Sequence, residues 1–210
     1  MASAPHSISP GATSPPVRYF PITVDMYHKM IETGLLPEGA PYELIHGQIV
    51  AKDRSACGEG AMIVGLFHAL TIKKLARLDG QLRRTGCHLQ VQLPLALARG
   101  SEPEPDAAIV VGDEDGYRGG HPSAKDVLCV IEVADSSLRY DRTTKQSLYA
   151  AHSVPMYLIV NLVDRAIEVY SEPLKRAERY GRVETLAASK KLLLPTAKKP
   201  LAVSVRRLLP

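Results

Sequence analysis

The chain has 210 residues, 45% hydrophobic and 23% charged, with a formal net charge of +4. That size and balance suit one well-packed domain plus tails. They exclude a helical membrane protein, since no apolar run approaches the roughly 20 residues of a span, and the N-terminus lacks the basic and apolar regions of a secretory signal. The cysteines, Cys57, Cys87 and Cys129, lie far apart without a C-x-x-C pair. This excludes a local zinc knuckle, argues against a disulfide framework and makes a reducing cytoplasm the expected home. With no Trp, two Phe and nine Tyr, a base-stacking sheet for single strands is not expected.

Residues 1–18 are rich in Pro and Ser and predict a disordered arm. Thr23 is placed to cap a helix through Val24–Glu32, ended by Gly34. After a Pro-rich loop, Tyr42–Ala51 predicts a hairpin with His46-Gly47 in the turn, where Gly47 supplies a positive φ. From about Glu59 to Leu78 the pattern is helical. Met62, Leu66, Ala69, Leu70, Lys73 and Leu75 form the stripe, Asp79-Gly80 closes the helix, and its expected place is over one face of a sheet. Strands are expected at His88–Leu97, where Pro94 breaks the alternation, and at Asp106–Val111. A polar, Gly-rich loop then leads to a strand over Asp126–Ala134.

A helix from Asp141 to His152 follows, then strands at Met156–Asn161 and Ala166–Ser171 joined as a hairpin, and another at Arg182–Ala188. Hairpins combined with one strand–helix–strand unit give an α/β fold class of the mixed, α+β kind. The domain is expected to span residues 19–190, followed by a basic segment, 191–210. From Glu172 onward ten basic residues face three acidic ones, leaving +7 there and −3 in the rest. That asymmetry suits a polyanionic partner, with an ordinary solvated surface as the alternative.

The strand at 126–134 organises the chain. Val127, Cys129, Ile131 and Val133 point one way and Leu128, Val130, Glu132 and Ala134 the other, so both faces are apolar and the strand is central. Glu132 near its end costs several kcal/mol to bury alone and needs a base, a hydrogen-bond network or a metal ion. Asp106 follows Pro105, which cannot donate to a ladder, and so lies at the sheet rim. If these strands pair as a hairpin, Asp106 stands across from Glu132, and two such carboxylates repel unless a proton or cation lies between them. The ordinary alternatives are a strand-start residue for Asp106 and a simple buried ion pair for Glu132. On the following helix Lys145, Leu148, Tyr149 and His152 share a face, which points Lys145 inward, with a snorkelling lysine as its alternative. Glu43 on the first hairpin is either a third carboxylate of this cluster or an outward-facing strand residue.

The runs Glu104-Pro105-Asp106 and Ile131-Glu132-Val133 resemble the PD-(D/E)XK nuclease superfamily. Within it, the chain is similar to the restriction-endonuclease family called Uma-two. The resemblance covers about Phe20 to Tyr170. It extends over Tyr42-Glu43-Leu44-Ile45-His46-Gly47, Ser101 to Asp106, Ile131 to Ser137, Asp141-Arg142-xx-Lys145-xxx-Tyr149-Ala150 and Val154-Pro155-Met156-Tyr157. It implies a restriction-endonuclease-like mixed β-sheet flanked by helices, and an enzyme that hydrolyses phosphodiester bonds of nucleic acid, DNA above all. It further implies a Mg2+ or Mn2+ ion held by Asp106, Glu132 and the Val133 carbonyl, with Glu43 accessory, because such ions prefer oxygen ligands. Asp106, Glu132 and Lys145 would be the catalytic residues, Lys145 orienting the attacking water or offsetting charge on the phosphate. Cutting both strands needs two sites, so a homodimer is an expectation drawn from the implied reaction.

The chain departs from the pattern in two places. Ala134 stands where the superfamily has lysine, and Ser55–Gly60 has no His where relatives carry one at the opening of the long helix. These departures support the alternative of a nuclease-fold protein that binds nucleic acid or a protein partner without cleaving. A glycosidase using the two carboxylates is disfavoured by the absence of Trp.

Overall fold

Helix α1 (Val24–Glu32) forms where expected, with the Thr23 hydroxyl accepting the Met26 N–H at 3.2 Å and Gly34 leaving the helix at φ 73°. The computed structural model describes residues 19–52, 59–98 and 100–210, with the backbone alone over 59–64; the arm expected at 1–18 lies outside the described residues, as does Cys57. Strands β1 (Tyr42–Ile45) and β2 (Gln48–Ala51) make the expected hairpin. Its turn residues His46 and Gly47 have φ of 50° and 76°, the paired positive values of the tight turn that matches strand twist.

Helix α2 (Glu59–Ala76) is followed by a second short helix, α3 (Asp79–Arg83). Asp79-Gly80 therefore does not end the helical region, as the sequence suggested. Asp79 is a first-turn residue instead, holding Arg83 Nε at 2.6 Å and accepting the Leu89 N–H at 2.9 Å. The buried side of this region is Thr71, Leu75, Leu78 and Leu82, whereas Leu66 of the expected stripe is 55% exposed. Helix α2 is apolar nearly all round, so periodicity could not select its inner face.

Six strands make the main sheet, in the order β3 (Cys87–Val91), β4 (Ala107–Val111), β5 (Val127–Ala134), β6 (Met156–Asn161), β7 (Ala166–Leu174) and β8 (Arg179–Ala187). All neighbours are antiparallel except β5 and β6. Parallel strands need a crossover, and here it is α4 (Leu138–Tyr140), a π turn (Asp141–Lys145) and α5 (Gln146–Ala151). The crossover helix thus begins before the expected Asp141, at Leu138. Strand β3 stops at Val91, short of the expected Leu97, because Gln92 turns away at φ 48° and Pro94 has no N–H to give. A bulge between β4 and β5 sets Val127 opposite Val110 and Cys129 opposite Ile109. It reverses the side-chain parity at the start of β5, so Val127 joins Val130 and Leu128 packs on the face of Cys129.

The sheet is covered on both sides, and both faces of β5 are apolar as expected. On one face Cys129, Ile131, Val133 and Leu158 pack against Leu75, Leu78 and Leu82. The segment 191–210, set apart in the sequence by its charge, belongs to this same core. It folds into β9 (Lys191–Leu194) and β10 (Leu201–Ser204), and Leu192, Leu194, Val203, Val205, Leu208 and Leu209 are buried there. On the other face Val130, Ala134, Tyr157 and Ile159 meet Leu148, Tyr149 and Ala150 of α5. Each fully buried side chain of this size contributes about 1.5–3 kcal/mol relative to exposure. Glu132 shares this second face with Val130 and Ala134, under the crossover helix.

Candidate active site

The β4–β5 register pairs Ala107 with Ile131, which sets Asp106 across from Glu132. The Asp106 N–H points to Glu132 Oε2 at 3.4 Å, and Asp106 Oδ2 accepts the Val133 N–H at 2.8 Å. The Asp106 carboxylate therefore takes a ladder position that the main chain has given up. One residue's N–H and C=O face the same neighbouring strand, so the Val133 carbonyl also looks towards the start of β4. Extending the register places Pro105 opposite, and proline has no N–H to offer it.

Lys145 closes the π turn, and Tyr149 follows one turn later on the same face. Lys145 Nζ lies 3.1 Å from Glu132 Oε1 and 2.7 Å from Glu43 Oε2, and the Tyr149 hydroxyl donates to Glu132 Oε1 at 3.0 Å. Glu43, arriving from β1, also accepts the Glu104 N–H at 3.2 Å. The inward lysine and the inward Glu43 are thus both present, and Lys145 is only 3% exposed rather than snorkelling. Asp106, Glu132, Glu43 and Lys145 meet at one end of the sheet. Glu132 has one oxygen fixed by Lys145 and Tyr149 and the other turned to Asp106.

Two members of the cluster were not singled out in the sequence. Asp141, four residues before Lys145, is buried and accepts the Ser137 hydroxyl at 2.6 Å. Its spacing to Lys145, i and i+4, was the available signal. His68, from the middle of α2, places Nε2 3.1 Å from Asp106 Oδ1. A histidine is absent from 55–60, but one from two turns further along the helix reaches the carboxylate; only its presence on the long helix pointed to it. Arg142, quoted in the family stretch, lies outside the cluster. It forks Glu168 at 2.6–3.2 Å, and Asn161 and Tyr170 donate to the same carboxylate, which ties the π turn to β6 and β7.

Acidity exceeds basicity here. Burial first, then the Asp106, Asp141 and Glu43 carboxylates, push Glu132 up to about 8 against the pull of Lys145. Burial likewise raises Asp141 to about 6, opposed by the Ser137 hydrogen bond and Lys145. For Lys145 burial alone would lower the ammonium, but Glu132 and Glu43 overcome it and hold the group above its ordinary value. Burial also pushes Asp106 up, yet His68 and the Val133 N–H outweigh it, and its carboxyl stays below its ordinary value. Four carboxyl groups share one ammonium, a balance that a proton or a cation completes. The donor set of carboxylate oxygens and a carbonyl suits a hard divalent cation. Among the described residues no three His, Cys, Asp or Glu side chains are grouped so as to hold a metal ion, and Lys145 lies between the Glu43 and Glu132 carboxylates.

A family model described as "Putative restriction endonuclease", Uma2, matches residues 24–205. The chain belongs to the Uma2 family. Among solved structures, the Uma2 chain is similar to a putative nuclease belonging to DUF820 from Anabaena variabilis ATCC 29413. The TM-score is 0.63 at 17% identity, over 90% of this chain and 97% of that one. At that identity the likeness speaks for the fold, a mixed sheet flanked by helices. No curated protein matches the chain. Among the described residues no helix is long and apolar enough to cross a membrane.

Proposed function

We propose that this Uma2 protein is a divalent-metal-dependent endonuclease that hydrolyses phosphodiester bonds of nucleic acid, with DNA as substrate. The observation that carries the reading is the Asp106–Glu132 pair at one rim of the sheet, with Lys145 in contact with Glu132. Asp106, Glu132 and the Val133 carbonyl would hold Mg2+ or Mn2+, with Glu43 accessory. When bound, the ion supplies Lewis acidity towards a phosphoryl oxygen. The chain's own groups do the rest. Tyr149 and Lys145 fix the orientation of Glu132, and His68 fixes that of Asp106. Lys145 supplies positive charge for the attacking water and the phosphate as negative charge builds. Cutting both strands calls for two such sites, hence a homodimer. Buried free thiols at Cys87 and Cys129 suit work in the reducing cytoplasm.

Plasmid nicking with Mg2+ or Mn2+ tests this. Asp106→Asn should reduce nicking at least about 100-fold while DNA binding survives. Nicking that persists in Asp106→Asn and Glu132→Gln, or in excess EDTA, overturns the reading. A second reading, binding without cleavage, has in its favour Ala134 at the lysine position and the burial of Lys145 between two carboxylates. It predicts retention of DNA with no metal-dependent nicking.

A further inference from the structure

The ten basic residues after Glu172 are all exposed, but the topology sorts them to different ends of the sheet. Strands β5 and β6 end together at Ala134 and Asn161, Ala166 of β7 pairs with Asn161, and Ala187 of β8 pairs with Ala166. The turn carrying Arg165, and Lys190 just after β8, therefore lie at the end of the sheet that carries Glu132. The chain terminus returns to the same rim. The Lys190 carbonyl accepts the Val205 N–H at 3.1 Å, the Ala188 carbonyl accepts the Arg206 N–H at 3.2 Å, and Arg165 Nη2 donates to a main-chain oxygen of Pro210 at 3.3 Å. A hollow of about 290 Å3 opens between Arg165 and Arg206, and Arg207 flanks a second one with Lys74 and Arg77.

Lys191, paired with Ser204, adjoins Lys190 at this rim, while other cations of the segment sit elsewhere. Lys175 and Arg176 form the turn between β7 and β8, at the opposite end of the sheet. Lys198 lies beside Arg84 and the start of β3, also away from Asp106. Acidic groups share the site rim: Asp135, Glu104, which is paired with Lys52 at 3.0 Å, and Asp164, which is engaged by Asn161 at 2.9 Å and Arg142 at 3.8 Å.

We propose that the rim formed by Arg165, Lys190, Arg206 and Arg207 is the surface on which the phosphate backbone of duplex DNA lies, leading one strand into the carboxylate site. The proposal rests on the nuclease reading and locates its substrate. Strands are about 4.8 Å apart, so the ends of β7 and β8, which carry Arg165 and Lys190, stand about 10 and 15 Å from Glu132 along the sheet. That is about three or four base-pair steps at about 3.4 Å each along one strand. Arg206 and Arg207 flank that rim from the face opposite Glu132. Exposed Arg and Lys without aromatic neighbours suit phosphate oxygens rather than stacking on unpaired bases, so the contact positions the duplex through its backbone. A row of separate cations fits a polyanion better than a single phosphate ion.

The test compares two double variants of the full chain with equal net charge, Lys190→Gln with Arg206→Gln at the site rim and Lys175→Gln with Arg176→Gln at the far end. Binding of a short fluorescent DNA duplex is titrated in EDTA, so that no cleavage intervenes, across a series of salt concentrations. The rim pair should weaken binding about tenfold or more and lower the slope of log K against log salt by about 2, the value for two lost phosphate contacts. The far-end pair should change affinity less than about twofold. Equal weakening by both pairs, or none by the rim pair, overturns the surface. If the unaltered chain binds and nicks DNA while the rim pair has no effect, the surface alone falls. If the unaltered chain neither binds the duplex nor nicks plasmid DNA with Mg2+ or Mn2+, the nuclease reading falls with it.

Discussion

Replacing Glu132 by glutamine isolates the charge imbalance at the heart of the site. In the metal-free chain Glu132 is pushed from 4.5 up to about 8 by burial and its acidic neighbours. Between those values the folded protein keeps a proton that the unfolded chain has released. Stability therefore falls as pH rises through that window, and this group contributes no further slope below about 4.5 or above about 8. The gap corresponds to a loss on the order of 5 kcal/mol, a large part of the stability of a domain this size. The Glu132→Gln variant keeps an amide oxygen for Lys145 and Tyr149 but has no proton to lose. Urea unfolding in EDTA from about pH 5 to about pH 9 should show the natural chain losing stability relative to the variant. Saturating Mn2+ should remove that loss, since the ion takes the place of the proton, and Mn2+ affinity should rise up to about tenfold per pH unit below about pH 8. Parallel stability curves for the two proteins would refute the argument that Glu132 is held protonated by its surroundings.

Lys145→Met leaves the buried Glu43 carboxylate without its ammonium at 2.7 Å, and urea unfolding at neutral pH should show a loss of about 3–5 kcal/mol. His68→Ala removes the group 3.1 Å from Asp106; calorimetric titration should show Mn2+ binding at least about tenfold weaker. Gly47→Ala should cost about 1–3 kcal/mol in thermal unfolding, because φ is 76° there and a Cβ would stand 2.8 Å from the Pro21 Cβ.

The cluster could be assembled from the sequence because each of its parts had a local physical signature. A carboxylate on a strand apolar on both faces, an aspartate after a proline at a strand start, and a lysine at helical spacing from Leu148 and Tyr149 all concern neighbouring residues. Glu43 could not be assigned, because its orientation depends on where the β1–β2 hairpin packs, and that is settled by residues 102–104. His68 was missed for the same reason: the approach of α2 to the sheet rim is a tertiary choice, and an almost wholly apolar helix does not announce its inner side. The π turn was invisible too, since its residues have ordinary helix propensities. The β9–β10 hairpin was hidden by its brevity, with four-residue strands set between lysine pairs and a proline-flanked turn. Charge marked 191–210 as a basic segment apart from the domain, while its alternate leucines and valines were building a core.

That hairpin determines how the basic stretch can be studied. Deleting residues 191–210 to remove its lysines and arginines would also strip six buried aliphatic side chains from beneath the sheet, on the order of 10 kcal/mol of burial. A shortened chain that failed to retain DNA would be reporting collapse of its scaffold, so the cations have to be neutralised one at a time, in place.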